Sequence, residues 1–220
     1  MRKLIEGIVD FRKRTLPSYR EAFGHLALDH SPDALMIACS DSRVVPNLFA
    51  STDPGDLFVV RNVGNLIPPC MPDGRSSADE SEAAAIEFAV NQLNVSNIIV
   101  CGHSECGAMN ALLQGRENEK TPNLKEWLRH GDEALRLIDS RPDLSPSAAF
   151  HNRLSQLNVL LQLEHLKSYP VVGERVKSGR LRLHGWWFEL SRADVYAYDE
   201  NTRRFFIIDE TTATKIIENL

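Results

Sequence analysis

Two short stretches of this chain hold the side chains best equipped for chemistry: Cys39-Ser-Asp-Ser-Arg43 and His103-Ser-Glu-Cys106. They offer two thiols and an imidazole, a soft donor set suited to zinc. Three protein ligands leave the fourth position of a tetrahedral ion open for water or substrate, which marks a catalytic zinc rather than a structural one. Two thiolates and a neutral imidazole also cancel the charge of Zn2+. Such an ion acidifies water less than one held by three histidines, so the neighbours matter. Asp41 can accept a hydrogen bond from a zinc-bound hydroxide and aim its lone pair at substrate. Arg43 can pin that carboxylate and keep it ionised through charge-assisted hydrogen bonds.

Two other readings of these residues are weaker. Gly102-His-Ser104-Glu-Cys106 has the outline of a Gly-x-Ser-x-Gly nucleophile elbow, but Cys replaces the last glycine, where close packing needs a small residue. Cys39 as a covalent nucleophile with His103 as its base leaves Cys106 and the Asp–Arg pair without a role.

For the two stretches to meet, the fold must bring distant segments together. Residues 34–39, 57–61 and 97–101 read as buried strands, and amphipathic helical patterns cover 79–93, the stretch from just after His103 to 113, 124–138 and 151–168. This alternation predicts an α/β fold with a mostly parallel central sheet flanked by helices. Residues 181–190 and 195–198 read as strands, and 205–208 completes a hairpin around Asp199-Glu-Asn-Thr, giving antiparallel strands at the C-terminus. Leu4, Ile5, Ile8 and Phe11 recur at helical spacing, so the chain opens with a helical arm that packs on the body or on a neighbouring subunit. In open α/β sheets ligands collect beyond the carboxyl ends of strands, where Cys39 and His103 both fall. Cys106 is expected in the first turn of the next helix, where backbone N–H groups and the helix dipole favour a thiolate.

Length and composition narrow the class. A chain of 220 residues with 43% apolar content reads as one domain, residues 1–220, with an arm (1–30) and a zinc-binding body (31–220). A net charge of −5 and a pI near 5.8 argue against nucleic acid as a partner. Loops are expected at 68–78 and 139–147. No apolar run approaches the roughly 20 residues that span a bilayer, so membrane insertion is not expected. Glu6 and Asp10 disfavour a transit peptide. Four cysteines without a secretion signal fit a reducing, cytoplasmic setting. Cys101 reads as a small buried hydrophobe, and Cys70 as an incidental thiol in a proline-rich loop.

Cys39-x-Asp41-x-Arg43 followed by His103-x-x-Cys106 resembles the signature of the β-class carbonic anhydrases. Residues 54–65 (PGDLFVVRNVGN), Val100-Cys-Gly-His103 and His184-Gly-Trp186 follow the family's order, and the resemblance spans nearly the whole chain. It is strongest to bacterial and cyanobacterial members. It implies one Zn2+ per subunit on Cys39, His103 and Cys106, with Asp41 and Arg43 as the orienting pair. The implied reaction is reversible hydration of CO2 to bicarbonate and a proton by zinc-bound hydroxide. The implied assembly is a homodimer, or a tetramer or octamer built from dimers. By family position, Phe58 and Phe88 wall an apolar CO2 pocket and Gly102 lets the backbone approach the metal. Phe88 stands where relatives often have Tyr. His30 stands where many carry a Gln that hydrogen-bonds near the substrate.

Met36 and Phe188 replace the Trp and Tyr of bicarbonate-regulated members, although Arg61 is kept. The expectation is an open fourth zinc position at neutral pH and no inhibitory bicarbonate pocket. In some members the aspartate swings onto zinc at low pH. Two alternatives use the same residues. One is a CS2 or COS hydrolase on the same scaffold. The other is a non-catalytic zinc-binding assembly module, which would need neither Asp41 nor Arg43.

Overall fold

The computed structural model describes residues 1–78, 80–141, 144 and 148–218. Residues ALMIAC are apolar throughout and buried throughout, as a strand covered on both faces must be. This strand, β1 (Ala34–Cys39), lies between β2 (Leu57–Asn62) and β3 (Asn97–His103), parallel to both. β4 (Arg182–Glu189) runs parallel beside β3, and β5 (Asp194–Asp199) and β6 (Arg204–Ile207) then turn back antiparallel. The sheet order is β2-β1-β3-β4-β5-β6. The expected architecture is present: a parallel core, antiparallel C-terminal strands and flanking helices.

The chain opens with α1 (Arg2–Asp10), a π-helical turn over Phe11–Thr15, and α2 (Leu16–Leu26). The expected arm is therefore helical, yet none of these residues is buried, and Leu4, Ile5 and Ile8 are 63%, 56% and 61% exposed. The apolar stripe of α1 does not find its cover on this chain's body. α2 is tied on by Tyr19, whose hydroxyl donates to Asp53 at 2.8 Å. Leu26 fills the space beside Gly55, where a Cβ would lie 2.5 Å from its Cδ2.

A short α3 (Pro46–Phe49) links β1 to β2, and α4 (Glu80–Asn91) links β2 to β3. After β3 come α5 (Gly107–Leu113), α6 (Pro122–Leu128), α7 (Asp132–Leu137), α8 (Phe150–Lys167) and α9 (Pro170–Lys177), and α10 (Glu210–Ile217) follows β6. The pattern over 124–138 predicts one helix, but a 3-10 turn over Arg129–Gly131 divides it into α6 and α7. Leu128, Ala134 and Ile138 are buried on both sides of the break, so the apolar spacing carries across it. Gly131 ends this turn where the chain passes close to α5: a Cβ there would lie 2.6 Å from Leu112 Cδ1. The loop expected at 139–147 lies partly outside the described residues.

α8 crosses β3 and β4 at two glycines. A Cβ at Gly102 would lie 2.7 Å from Val159 Cγ2, and one at Gly185 would lie 3.1 Å from Val159 Cγ1. The requirement for Gly102 thus comes from helix packing. This differs from the expected role of admitting backbone to a metal.

His130 sits in the turn between α6 and α7, buried, with its ring edge-on to Trp127 at 5.5 Å. Burial first, then the charges of Arg129 and His165, push its pKa down to about 4. An unfolded chain takes up this proton as pH falls through about 6.5, while the folded protein resists until about 4, so acid favours unfolding across that window. The full gap corresponds to at most about 3 kcal/mol. Burial also lowers His165 and His184, which adds to the same slope. Melting temperature should therefore fall between pH 7 and 5, and His130→Phe should flatten that fall without removing it. An unchanged slope in the variant would place the acid sensitivity elsewhere.

Candidate metal centre

Cys39 is the last residue of β1 and His103 the last of β3, so two neighbouring parallel strands deliver both side chains to the same sheet end. After His103 the chain turns through Ser104 and Glu105 and enters α5, with Cys106 at the N-cap. Cys106 is thus one position ahead of the first helical turn expected for it. The backbone N–H groups of Met109 and Ala108 still act on its sulfur in the thiolate-favouring sense. The donor atoms of Cys39, His103 and Cys106 all lie within 4.8 Å of one another, and all three residues are buried. Among the described residues this is the one such cluster.

The cluster's chemistry suits a soft divalent cation. His103 Nδ1 lies 2.8 Å from the Ser104 carbonyl oxygen, which places the ring proton on Nδ1 and leaves the Nε2 lone pair free. That Nε2 is buried and has no hydrogen-bond partner in the protein. A buried polar atom without a partner costs stability unless something outside the chain satisfies it. The two sulfurs act on each other in opposite senses. A hydrogen bond from Cys106 draws the Cys39 thiol well below its ordinary value against the opposing effect of burial, helped by the backbone N–H groups of Asp41 and Gly64. The same bond and burial push Cys106 up. A zinc ion would displace thiol protons and occupy the free lone pair of Nε2, so the residues present fit the metal.

Asp41 and Arg43 stand beside this cluster as a paired unit. Arg43 Nε donates to Asp41 Oδ1 at 2.9 Å and Nη2 to Oδ2 at 2.7 Å, and the Arg43 backbone N–H adds a third bond at 3.0 Å. The guanidinium hydrogen bond is the largest cause holding the Asp41 carboxyl well below the ordinary carboxylate range. The carboxylate is therefore ionised, and acts as an acceptor only, at any neutral pH. Arg43 Nη2 also donates to the Glu105 carbonyl at 3.1 Å, linking the two motifs directly.

Arg61 clamps the backbone from the other side. Its Nε and Nη2 donate to the Cys39 carbonyl at 3.0 and 2.8 Å, and Nη2 reaches the Asp41 carbonyl at 2.6 Å. Phe188 stacks on Phe49 at 4.8 Å between centroids, in the core cluster that also holds Met36 and Val44.

Phe58, Phe88 and His30 are not brought to this cluster within the chain. Phe58 pairs with Leu35 in the β1–β2 register, four positions before the Cys39–Asn62 pair, or about 13 Å back along the strands. Phe88, on α4, lies against it at 5.8 Å between ring centroids. His30 precedes β1, is exposed, and bonds through its backbone N–H to Asp29 Oδ1 at 2.8 Å.

One set of supporting residues lies outside the sequence expectations. α8 presents a buried polar stripe to the loops beyond the strand ends. Ser155 Oγ donates to the His103 carbonyl at 2.7 Å and accepts from Trp187 Nε1 at 3.2 Å. Asn158 Nδ2 donates to the Gly64 carbonyl at 3.1 Å, and Gln162 accepts from the Ile67 N–H at 2.7 Å and donates to the His130 carbonyl at 3.1 Å. The readable signal is the spacing of Asn152, Ser155, Asn158 and Gln162 along one helix face, otherwise lined by leucine and valine.

Known proteins share this arrangement of sequence and fold. The sequence profile of the family described as "Carbonic anhydrase" matches residues 34–195. A carbonic anhydrase of Pseudomonas aeruginosa is 39% identical over 210 residues, covering 96% of this chain and 93% of its own. One from Synechocystis is 41% identical over 201 residues, covering 90% and 71%. Among solved structures, the β-carbonic anhydrase CcaA superposes with a TM-score of 0.86 at 40% identity, covering 96% of this chain and 92% of that one. One of the two tetrameric β-carbonic anhydrases from Sordaria macrospora gives 0.76 at 26% identity, covering 89% and 95%.

Proposed function

The chain belongs to the β-class carbonic anhydrases, and from that premise we propose that Cys39, His103 and Cys106 would hold one zinc ion per subunit and that the protein catalyses the reversible hydration of CO2 to bicarbonate and a proton. The observation that carries this reading is the buried, partnerless His103 Nε2 set within 4.8 Å of two buried sulfurs. Zinc bound there supplies an acidified water as the nucleophile.

The protein's own groups do the remaining work. Asp41, held ionised by Arg43, accepts a hydrogen bond from the attacking water and turns the oxygen lone pair toward CO2. Arg43 does not titrate, so the orientation persists across the working pH range. Arg61 fixes the backbone from Cys39 to Asp41, so ligand and acceptor keep their relative positions. The overall reaction converts CO2 and water to bicarbonate and a proton, and the proton departs to solvent.

The pocket walls require a second copy. Phe58, Phe88 and His30 lie toward the far end of the strands, and the α1 stripe and Phe88 are exposed, Phe88 by 46%. A homodimer that covers the arm and brings these residues to the neighbour's metal is the smallest assembly that uses them, and tetramers or octamers would extend it. Residues 1–220 act as one such unit. Cys39 and Cys106 would ligate zinc as thiolates, which fits a reducing, cytoplasmic setting. Among the described residues no helix is long and apolar enough to cross a membrane.

Arg61 is engaged with backbone carbonyls, and Phe49 and Phe188 fill the space beside it. These contacts support a site without an inhibitory bicarbonate pocket. Stopped-flow CO2 hydration should rise smoothly from about pH 6.5 to about pH 9, with simple inhibition by bicarbonate. A steep loss below about pH 8 with sigmoidal bicarbonate inhibition would show instead that Asp41 closes onto the metal.

A further inference from the structure

We propose that Asn152 and His151, at the amino end of α8, are positioning residues that set the geometry of the metal loop through Glu105. This rests on the zinc reading above.

Glu105 lies between two of the metal ligands and has left-handed backbone, φ 56°. An L residue keeps that conformation only when its surroundings hold it. Here α8 holds it at both ends. The Glu105 backbone N–H donates to Asn152 Oδ1 at 2.8 Å, and Asn152 Nδ2 donates back to Glu105 Oε1 at 3.1 Å. His151 Nε2 lies 2.8 Å from the same carboxylate oxygen. The Glu105 carbonyl faces the other way and accepts from Arg43.

The orientation of this one residue therefore has two consequences. It sets the separation of His103 and Cys106, and it presents the carbonyl that fixes the guanidinium orienting Asp41. Asn152 is free for this task because α8 has no side-chain hydrogen bond at its N-cap, Ala149. Its amide is committed to the metal loop instead of to its own helix.

The test uses full-length zinc-loaded protein. Asn152→Ala should release zinc to a chromogenic chelator about tenfold or more faster than the parent and should lower kcat more than it raises KM. The decisive variant exchanges donor and acceptor. Asn152→Asp alone sets two carboxylates against each other and should also release zinc faster. Combined with Glu105→Gln, the exchange is complete. One oxygen of the carboxylate now on α8 can accept the backbone N–H of the loop residue, and the other can accept from the amide now carried by the loop. The oxygen of that amide still accepts from His151. The double variant should then return to within about threefold of the parental release rate.

A role confined to the stability of α8 would not be rescued by a change in the loop. Parental zinc release and kcat in Asn152→Ala would overturn the proposal. If that variant does not fold, a double variant no better than Asn152→Asp would overturn it equally. A parent protein that takes up no zinc would sink the metal reading itself, and that is visible before any variant is made.

Discussion

His103→Ala is expected to abolish stoichiometric zinc binding and to lower CO2 hydration by about a thousandfold or more. The imidazole is the one neutral donor in the cluster, and its free Nε2 meets no other partner in the chain. Without it, only two buried sulfurs remain. Two ligands do not hold a tetrahedral zinc against competition from water and chelators, and without the ion no water is acidified near neutral pH. The variant should nevertheless fold, because the side chain removed carries a buried nitrogen that makes no hydrogen bond within the protein. Metal content by mass spectrometry, with hydration by stopped flow, reads the effect. One tightly held zinc per chain in the variant would mean that the ligand set is wrong.

Asp41→Asn is expected to keep zinc and lose about a hundredfold in kcat. Asn matches the shape of Asp but turns one acceptor oxygen into a donor. That donor would either face the Arg43 guanidinium or point at the attacking water, and neither arrangement orients a lone pair toward CO2. The effect should lower the plateau of the pH profile without moving its midpoint. The Asp41 carboxyl is depressed far below the neutral range, so it does not titrate where activity develops. Its contribution to stability is likewise present above the ordinary carboxylate pKa and lost only as pH falls through the depressed value. Unimpaired kcat in the variant would remove Asp41 from the mechanism, and loss of zinc would make it a ligand instead.

What can be read from the sequence follows from how local each signal is. β1 is apolar at every position, and Cys39 and His103 end buried runs, so the strand-end rule is enough to place them together. Asp41 and Arg43 are two positions apart, a distance over which chemistry and geometry are nearly the same question. The break between α6 and α7 is hidden because buried residues continue across Gly131, whose nearest neighbour, Leu112, is distant in sequence. Phe58, Phe88 and His30 carry a family position, but the parallel register of β1 and β2 places Phe58, with Phe88 against it, at the other end of the strands, and His30 precedes β1. Arg61 is visible as a charge ahead of a glycine turn, yet its bonds to the Cys39 and Asp41 carbonyls exist only in three dimensions. The α8 stripe is concealed by ordinary polar residues whose partners lie on loops up to 95 positions away.

The measurement that tests the account most directly is CO2 hydration by the same protein stripped of metal and then restored with zinc, with COS and CS2 assayed in parallel. Activity lost on stripping and regained with about one zinc per chain, fastest on CO2, is the predicted result. Protein carrying a full complement of zinc that hydrates no CO2 at any pH would contradict it, and turnover of COS or CS2 in that sample would name the reaction in its place.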